Sequence, residues 1–126
     1  MRQQIQDHIK KEYGVSPEHP WKRYPDFAVF RHSDNGKWFA LIMDVDTSKL
    51  GLPGGQTVDV INLKVGDPLF RDVLIREDGI LPAYHMNKTH WVTVLLDGTV
   101  PAERVFGLIG MSYLATASAK KQEGSR

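Results

Sequence analysis

Apolar residues at the start of the chain recur at every fourth position. Three of them would share one stripe of a helix: Ile5, Ile9 and Tyr13. Gly14 is suited to end this helix, because glycine readily adopts the left-handed conformation found at helix C-termini. Residues 15–25 contain three prolines, which exclude a regular helix or a central strand. The pattern predicts a helix followed by a structured connector, held against the domain by the rings of Trp21 and Tyr24.

An Asn35–Gly36 pair separates two β-rich segments, residues 27–32 and 37–45, and is a strong local signal for a β-hairpin. Alternate residues of the second arm are apolar and are expected to face the core: Phe39, Leu41, Met43 and Val45. Trp38 then points to the opposite face.

A Gly- and Pro-containing loop at residues 51–55 leads to a third strand, predicted at residues 56–65. Asn62 and Lys64 are two positions apart at its end. Because side chains alternate along a strand, both should lie on one face.

The second half of the chain is predicted to contain two helices and two strands. Asp67 followed by Pro68 is typical of a helix start, and this helix should end near Gly79. Strands are expected at residues 80–86 and 90–96, joined by a short polar turn at residues 87–89. Pro101 begins the last helix, and residues beyond 115 are expected to fray.

The predicted order is therefore α-β-β-β-α-β-β-α. Strands with short connections must be antiparallel. We expect an α+β fold, a two-layer sandwich in which the helices cover one face of a five-stranded antiparallel sheet and the other face is partly in water. Residues 1–116 should form a single domain, and residues 117–126 a flexible tail.

Composition narrows the class of protein. A chain of 126 residues with no cysteine has the size of one domain and excludes disulfides and thiolate metal sites. The formal net charge is +1, so a nucleic-acid partner would depend on local patches. No apolar run approaches the roughly 18 residues of a membrane span, and the N-terminal residues lack a signal-peptide pattern. We expect a cytoplasmic protein without a membrane partner.

Four segments carry a resemblance to a known family. They are HPWKRYPDFAVFRH at 19–32, GKWFALIMDV at 36–45, VDVINLK at 58–64 and PAYHMNKTHWVTVLLDGTVP at 82–101. In these runs the chain resembles the MmcQ/YjbR family, small bacterial proteins described as DNA-binding. The resemblance implies a fold similar to the CyaY type and to secretion chaperones, and a DNA-binding role without an established reaction or cofactor.

Candidate binding residues concentrate at the tip of the second predicted hairpin, which contains Tyr84, His85, Met86, Asn87, Lys88, Thr89, His90 and Trp91. Cations neutralise phosphates and aromatic rings stack on unpaired bases. Strand alternation adds Trp38, Asn62 and Lys64 to an exposed face with Tyr84 and Trp91, and Arg31 is a further candidate for a phosphate. The same residue types are also ordinary in hairpins, and these rings could instead lie under the connector or in a homodimer interface.

Other chemistries are less favoured by the sequence. His85 and His90 could approach each other across a turn, but no third metal ligand is evident. No activated nucleophile and no phosphate-binding glycine loop is present. We therefore expect a non-enzymatic protein with no cofactor. The alternatives to nucleic-acid binding are a protein-interaction module, or a small-ligand site between connector and sheet lined by Trp21, Tyr24 and His85.

Overall fold

One antiparallel sheet of five strands organises the chain. The computed structural model describes residues 1–124. Its strands are β1 (Ala28–Arg31), β2 (Trp38–Asp46), β3 (Thr57–Lys64), β4 (Ile80–Pro82) and β5 (Trp91–Leu95). They are arranged in the order β1-β2-β3-β5-β4. The helices are α1 (Arg2–Tyr13), α2 (Pro68–Leu74), α3 (Ala102–Thr116) and α4 (Ala119–Gly124), with a short 3-10 turn at Thr47–Leu50. The predicted α+β class and the order of its elements are confirmed.

Local signals identify the end of α1 and the start of α2 correctly. Gly14 ends α1 with φ 70°, and its N–H donates to the carbonyl oxygen of Lys10 at 2.9 Å. The carboxylate of Asp67 accepts from the N–H of Leu69 at 2.9 Å and caps α2. These caps satisfy backbone groups that a helix end leaves unpaired.

The expected end of α2 near Gly79 was wrong, since the helix ends at Leu74. The N–H groups of Arg76 and Glu77 bond to carbonyl oxygens three residues earlier and form turns instead of a further helical turn.

The face of the sheet that packs against the helices, here called the helix face, is fully buried. Its strand residues include Ala40, Ile42, Ile61, Leu63, Val92 and Val94, and α1 and α3 cover them with Ile5, Ile9, Val105 and Ile109. Burial of this apolar surface is the main driving force for the fold.

The opposite face, here called the connector face, is also buried. It carries Val29, Leu41, Met43, Val45, Val60 and Leu95, and the side chains that cover them include Trp21, Phe27, Leu50 and Leu52. Less of this face is open to water than expected, and its exposed part includes the end of the sheet that carries Arg31 and the half-buried Lys64. The proline-rich segment at residues 15–27, the connector, and the segment after β2 cover the apolar residues that the helices do not reach.

A β-bulge near the start of β2 explains why alternation misassigned one residue. Phe30 lies opposite Ala40, but Arg31 lies opposite Trp38, so Phe39 is an extra residue in β2. Phe39 consequently packs in the helix-face cluster, whereas Leu41 and the alternate residues after it pack on the connector face. The prediction that all four alternate residues share one face was wrong.

The second hairpin also differs from its prediction. Strand β4 ends at Pro82, and residues 83–90 form an irregular loop instead of continuing the strand to residue 86. Pro82 has no N–H, and the N–H of Tyr84 donates to the hydroxyl of Thr93 at 2.8 Å instead of to a β5 carbonyl. The ladder therefore ends early.

Part of the predicted tail is ordered as α4. The hydroxyl of Ser118 donates to Asp34 at 2.8 Å, and Nζ of Lys121 lies 3.1 Å from the same carboxylate. Residues 125–126 lie outside the described residues, and the proposed boundary at residue 116 stays a prediction.

Candidate functional site

Two cross-strand pairs lie at the same end of the sheet. The register places Arg31 opposite Trp38 on β1 and β2, and Lys64 opposite Trp91 on β3 and β5. Trp38, Lys64 and Trp91 line one shallow concavity of about 390 Å³, together with Gly36, Lys37, Met86 and Thr116. The bulge in β2 places Trp38 on the connector face, the face that also carries Lys64 and Trp91.

The two indoles are less exposed than alternation suggested. Trp91 is only 9% exposed, and Trp38 is half-buried, with its ring edge-on to Trp21 at a centroid distance of 5.8 Å. They form the walls of a concavity and do not stand out from an open sheet.

Lys64 combines a fixed backbone with an available ammonium. The hydroxyl of Ser112 on α3 accepts the N–H of Lys64 at 2.9 Å and donates to the carbonyl oxygen of Phe39. The β2–β3 ladder stops at the Ala40–Leu63 pair, so this hydroxyl replaces the ladder bond that the bulge removes. Among the carboxylates whose side chains the structure describes, those up to residue 121, none lies in ion-pair distance of the half-buried Lys64 side chain.

Asn62 is fully buried, so its predicted place on an exposed face was wrong. Its amide donates to the carbonyl oxygen of Tyr84 at 2.8 Å, and its Oδ1 accepts from the Thr93 hydroxyl at 2.6 Å. Burying an amide is costly unless both ends are bonded. Asn62 therefore holds the 83–90 loop on the sheet and has no exposed group to offer a ligand.

Three polar residues of that loop stabilise its backbone. Oδ1 of Asn87 accepts from the N–H groups of Thr89 and His90 at 2.8 and 3.2 Å, and Nζ of Lys88 donates to the carbonyl oxygen of Ala83 at 2.6 Å. The carbonyl oxygen of His90 accepts from the N–H of Val65 at 2.7 Å. Lys88 and Asn87 stay exposed, but the contacts they make are those of a folded turn.

His85 is the only non-glycine residue among residues 1–124 with a positive φ, 61°. Its exposed ring packs on the half-buried Tyr84 at a centroid distance of 4.0 Å. No three His, Cys, Asp or Glu side chains in the described part of the chain are grouped so as to hold a metal ion, and the pairing of His85 with His90 at a metal gains no support.

Arg31 is held by an ion pair. Its guanidinium donates two hydrogen bonds, at 2.6 and 2.9 Å, to the carboxylate of Glu18 in the connector. Both side chains are about half exposed. A phosphate would have to compete with Glu18 for this cation.

Sequence reasoning missed a group centred on His32, which is fully buried. Nζ of Lys121 lies 3.0 Å from its Nδ1. Because an ammonium can only donate, Nδ1 accepts and Nε2 carries the proton, which it donates to the Thr116 hydroxyl at 2.9 Å. Burial lowers the pKa of His32, and the charge of Lys121 lowers it further. The polar position of His32 at the end of an apolar strand was the only sequence signal for this group.

The charge of Asp34 is stabilised beside this group. Hydrogen bonds from the Ser118 hydroxyl and the Lys121 ammonium lower the pKa of Asp34 to about 2. At neutral pH the carboxylate is therefore ionised and attracts α4 to the first hairpin.

Sequence reasoning also missed Asp44 and Lys49, which border a second pocket. It has a volume of about 370 Å³ and lies between the connector, the end of β2 and the 83–90 loop. Tyr24 and His85 line it, as the small-ligand alternative required, but Trp21 does not. Two aspartates, Asp44 and Asp46, in an otherwise apolar strand were the available signal.

These features define a small α+β protein with a concavity at one end of its sheet. A family model named YjbR matches residues 11–115. The chain belongs to the YjbR family. No helix within residues 1–124 is both long and apolar enough to cross a bilayer.

Relatives of the chain include two curated bacterial proteins. The chain is 44% identical over 115 residues to "Uncharacterized protein YyaQ" of Bacillus subtilis (strain 168), covering 91% of this chain and 97% of the relative. It is 30% identical over 63 residues to "Uncharacterized protein YjbR" of Escherichia coli (strain K12), covering 50% and 53%.

Solved structures show the same fold. A crystal structure of a Pseudomonas syringae protein matches with a TM-score of 0.90 and 50% identity, over 93% of this chain and 99% of that one. The Deinococcus radiodurans protein DR2400 matches with a TM-score of 0.71 and 26% identity, over 98% and 86%. None of these names describes an activity, and likeness to the CyaY type stays a prediction.

Proposed function

We propose that this protein is a non-enzymatic module that binds single-stranded DNA at the concavity of Trp38, Lys64 and Trp91. One observation carries the proposal. Two indoles and a lysine line the same concavity at one end of the sheet, and the lysine is in no ion pair with the described side chains of residues 1–121. An indole face supports base stacking and an ammonium neutralises a phosphate.

The dimensions of the concavity favour a single strand over a duplex. It is shallow and about 390 Å³ in volume, enough for one or two unpaired bases and not for a helical groove. The exposed Lys37 beside it adds a second cation. Arg31 contributes less than the sequence suggested, because Glu18 neutralises it. With a formal net charge of +1, affinity rests on these few contacts and is modest. The site of action would be the cytoplasm, where bacterial DNA is accessible.

The test is fluorescence anisotropy of a labelled 12-nucleotide single strand, titrated with protein at about 50 mM and 200 mM salt. We expect wild-type affinity to fall with salt. Each phosphate contact contributes about 0.7 to the slope of log K against log salt. Lys64→Ala should lower that slope by about this amount and weaken binding several-fold.

Lys49→Ala is the matched control. It removes the same charge from an exposed position in the 3-10 turn that does not line the concavity, so binding should be unchanged. Absence of binding at tens of micromolar protein at low salt would overturn the proposal, as would equal effects of the two lysine variants. Tighter binding to a duplex would also contradict it.

Light scattering of the free protein addresses the protein-interaction alternative. A doubled mass, together with an anisotropy that does not change when protein is added to the single strand, would indicate a stable dimer in which the concavity is blocked. This result would contradict the DNA proposal and favour a homodimer. A monomer that binds the single strand would support the proposal.

A further inference from the structure

The second pocket, bounded by the connector and the 83–90 loop, has the properties of a site for a small organic molecule. Its volume of about 370 Å³ lies within the usual range for such sites, about 300 to 1,000 Å³. It is separate from the concavity of Trp38, Lys64 and Trp91, because none of those three residues lines it. A ligand in this pocket would therefore bind independently of DNA.

Aromatic rings contribute to two sides of the pocket. On the connector, Tyr24 stacks on Phe27 at a centroid distance of 4.8 Å. On the loop, Tyr84 packs against His85 at 4.0 Å. Tyr24 is 47% exposed, so a large aromatic surface is open to an incoming ring or cation. Such surfaces bind flat rings by stacking and bind cations through the ring face.

The uncompensated charge in the pocket is negative. Asp44 lies directly opposite Asp59 in the β2–β3 register, and like charges in that arrangement repel each other. Arg2 neutralises only Asp59, at 2.9 Å. Among the described side chains, those of residues 1–121, none forms a hydrogen bond or an ion pair with the half-buried carboxylate of Asp44.

Two cations, Arg23 and Lys49, also line the pocket. The charge of Lys49 interacts with Asp46, whose pKa is lowered mainly by hydrogen bonds from Ser48. The guanidinium of Arg23 lies 6.0 Å from the centre of the Tyr24 ring. Against these two cations the pocket has three carboxylates, those of Asp26, Asp44 and Asp46. The lining therefore carries a net negative charge, and Asp44 is its half-buried carboxylate that no described side chain neutralises.

The loop side of the pocket is held in place at a conformational cost. A φ of 61° at His85 costs about 1 kcal/mol or more for a residue with a Cβ. The bonds of the neighbouring Tyr84 backbone to Asn62 and Thr93 maintain it. Strained positions that the surrounding structure fixes occur preferentially at binding sites.

We propose that this pocket binds a small aromatic amine, with the aromatic ring against Tyr24 and the Tyr84–His85 pair and the ammonium group on Asp44. The ammonium would neutralise Asp44, which lies opposite Asp59 and, unlike Asp59, is not held in an ion pair by Arg2. The shape and charge of the pocket together favour a cation attached to a ring over an anion of the same shape.

Two probes that differ in charge test this proposal: tyramine and 3-(4-hydroxyphenyl)propionate, which share the phenol ring. Binding is followed by NMR chemical shifts of the backbone amides of the full chain. We expect tyramine to bind at least about tenfold more tightly than the carboxylate, a ratio that corresponds to one charge-assisted contact. The shifts should concentrate at residues 24, 44 and 85 and leave residues 38, 64 and 91 unmoved.

Asp44→Asn keeps the shape of the side chain and should weaken tyramine binding about tenfold or more. Asp78→Asn, at an exposed turn that does not line the pocket, is the matched control and should have no effect. Because Asp44→Asn also removes repulsion from Asp59, it should not impair folding. The proposal is overturned by equal affinity for the two probes, by equal effects of the two variants, by shifts confined to residues 38, 64 and 91, or by no tyramine binding at about 10 mM.

Discussion

The side-chain amide of Asn62 donates to the carbonyl oxygen of Tyr84 at 2.8 Å and joins a central strand to the 83–90 loop. That loop contributes to both proposed sites. Met86 borders the concavity of Trp38, Lys64 and Trp91, and Tyr84 and His85 line the second pocket. One buried amide therefore positions residues with two separate proposed functions.

Asn62→Ala should destabilise the fold by about 2 to 4 kcal/mol, because it leaves the Thr93 hydroxyl and the Tyr84 carbonyl oxygen without a buried partner. Urea unfolding measures this change. Gln56→Ala, at an exposed position, should change the free energy of unfolding by less than about 0.5 kcal/mol. A loss from Asn62→Ala as small as that of this control would contradict the role assigned to the amide.

Ser112→Ala tests whether one hydroxyl stabilises the bulge in β2. The substitution leaves the Phe39 carbonyl oxygen and the Lys64 N–H unpaired in a buried environment. We expect a loss of about 2 to 4 kcal/mol in the free energy of unfolding. Ser33→Ala, an exposed serine, is the control. The backbone amide of Lys64 should also exchange its hydrogen faster in Ser112→Ala. An unchanged exchange rate would show that the Ser112 hydroxyl does not link the Lys64 N–H to the Phe39 carbonyl oxygen.

The pH dependence of stability should report on His32. Its pKa is lowered in the folded state by burial and by Lys121, with Lys37 acting in the same direction, while Asp34 and the Tyr113 carbonyl oxygen act in the opposite direction. The ordinary pKa of a histidine is about 6.5. Below this pH, His32 is protonated in the unfolded chain but stays neutral in the folded chain until its lower folded pKa is reached. The stability that His32 contributes is thus fully present above pH 6.5 and is lost as the pH falls toward the lower folded pKa.

His32→Gln is the comparison for this prediction. Its unfolding free energy, measured in urea between about pH 5 and 8, should fall less steeply with decreasing pH than that of the wild type. Asp34 does not contribute to the change in stability between about pH 5 and 8, because its pKa of about 2 means that it titrates only in more acidic solutions. Parallel profiles for the two proteins would show that the pKa of His32 is not lowered.

Gly79 and Gly98 both have a positive φ, but a Cβ would clash with neighbouring atoms only at Gly79. Alanine variants at the two positions therefore distinguish the cost of backbone strain from the cost of a steric clash. Gly79 has φ 85°, and a Cβ there would lie 2.7 Å from Cγ2 of Val100. Gly98 has φ 93° with no atom within 4 Å of such a Cβ. Gly98→Ala should cost about 1 kcal/mol, and Gly79→Ala at least about 1 to 3 kcal/mol more. Thermal unfolding of both variants checks this, and equal costs would show that Val100 moves aside freely.

Much of the candidate site could not be predicted from strand alternation. Alternation correctly placed Lys64 and Trp91 on one face, because the register of β3 and β5 is regular. It placed Asn62 on an exposed surface, because it could not show that the connector and the 83–90 loop cover that face. The identity of a polar residue does not indicate whether it forms its hydrogen bonds with water or with a loop that is distant in the sequence.

The sequence by itself determined the end of α1, the start of α2, the order of the strands along the chain and the α+β class. These follow from contacts between near neighbours, such as the Gly14 cap and the Asp67 cap, whose physics is local. Only the tertiary structure decided that Phe39 is an extra residue, that the connector buries the second face, and that Asp44 faces Asp59 beside an aromatic pocket. Those outcomes depend on residues far apart in the chain, and a single bulge reverses the alternation from which sequence reasoning infers a face.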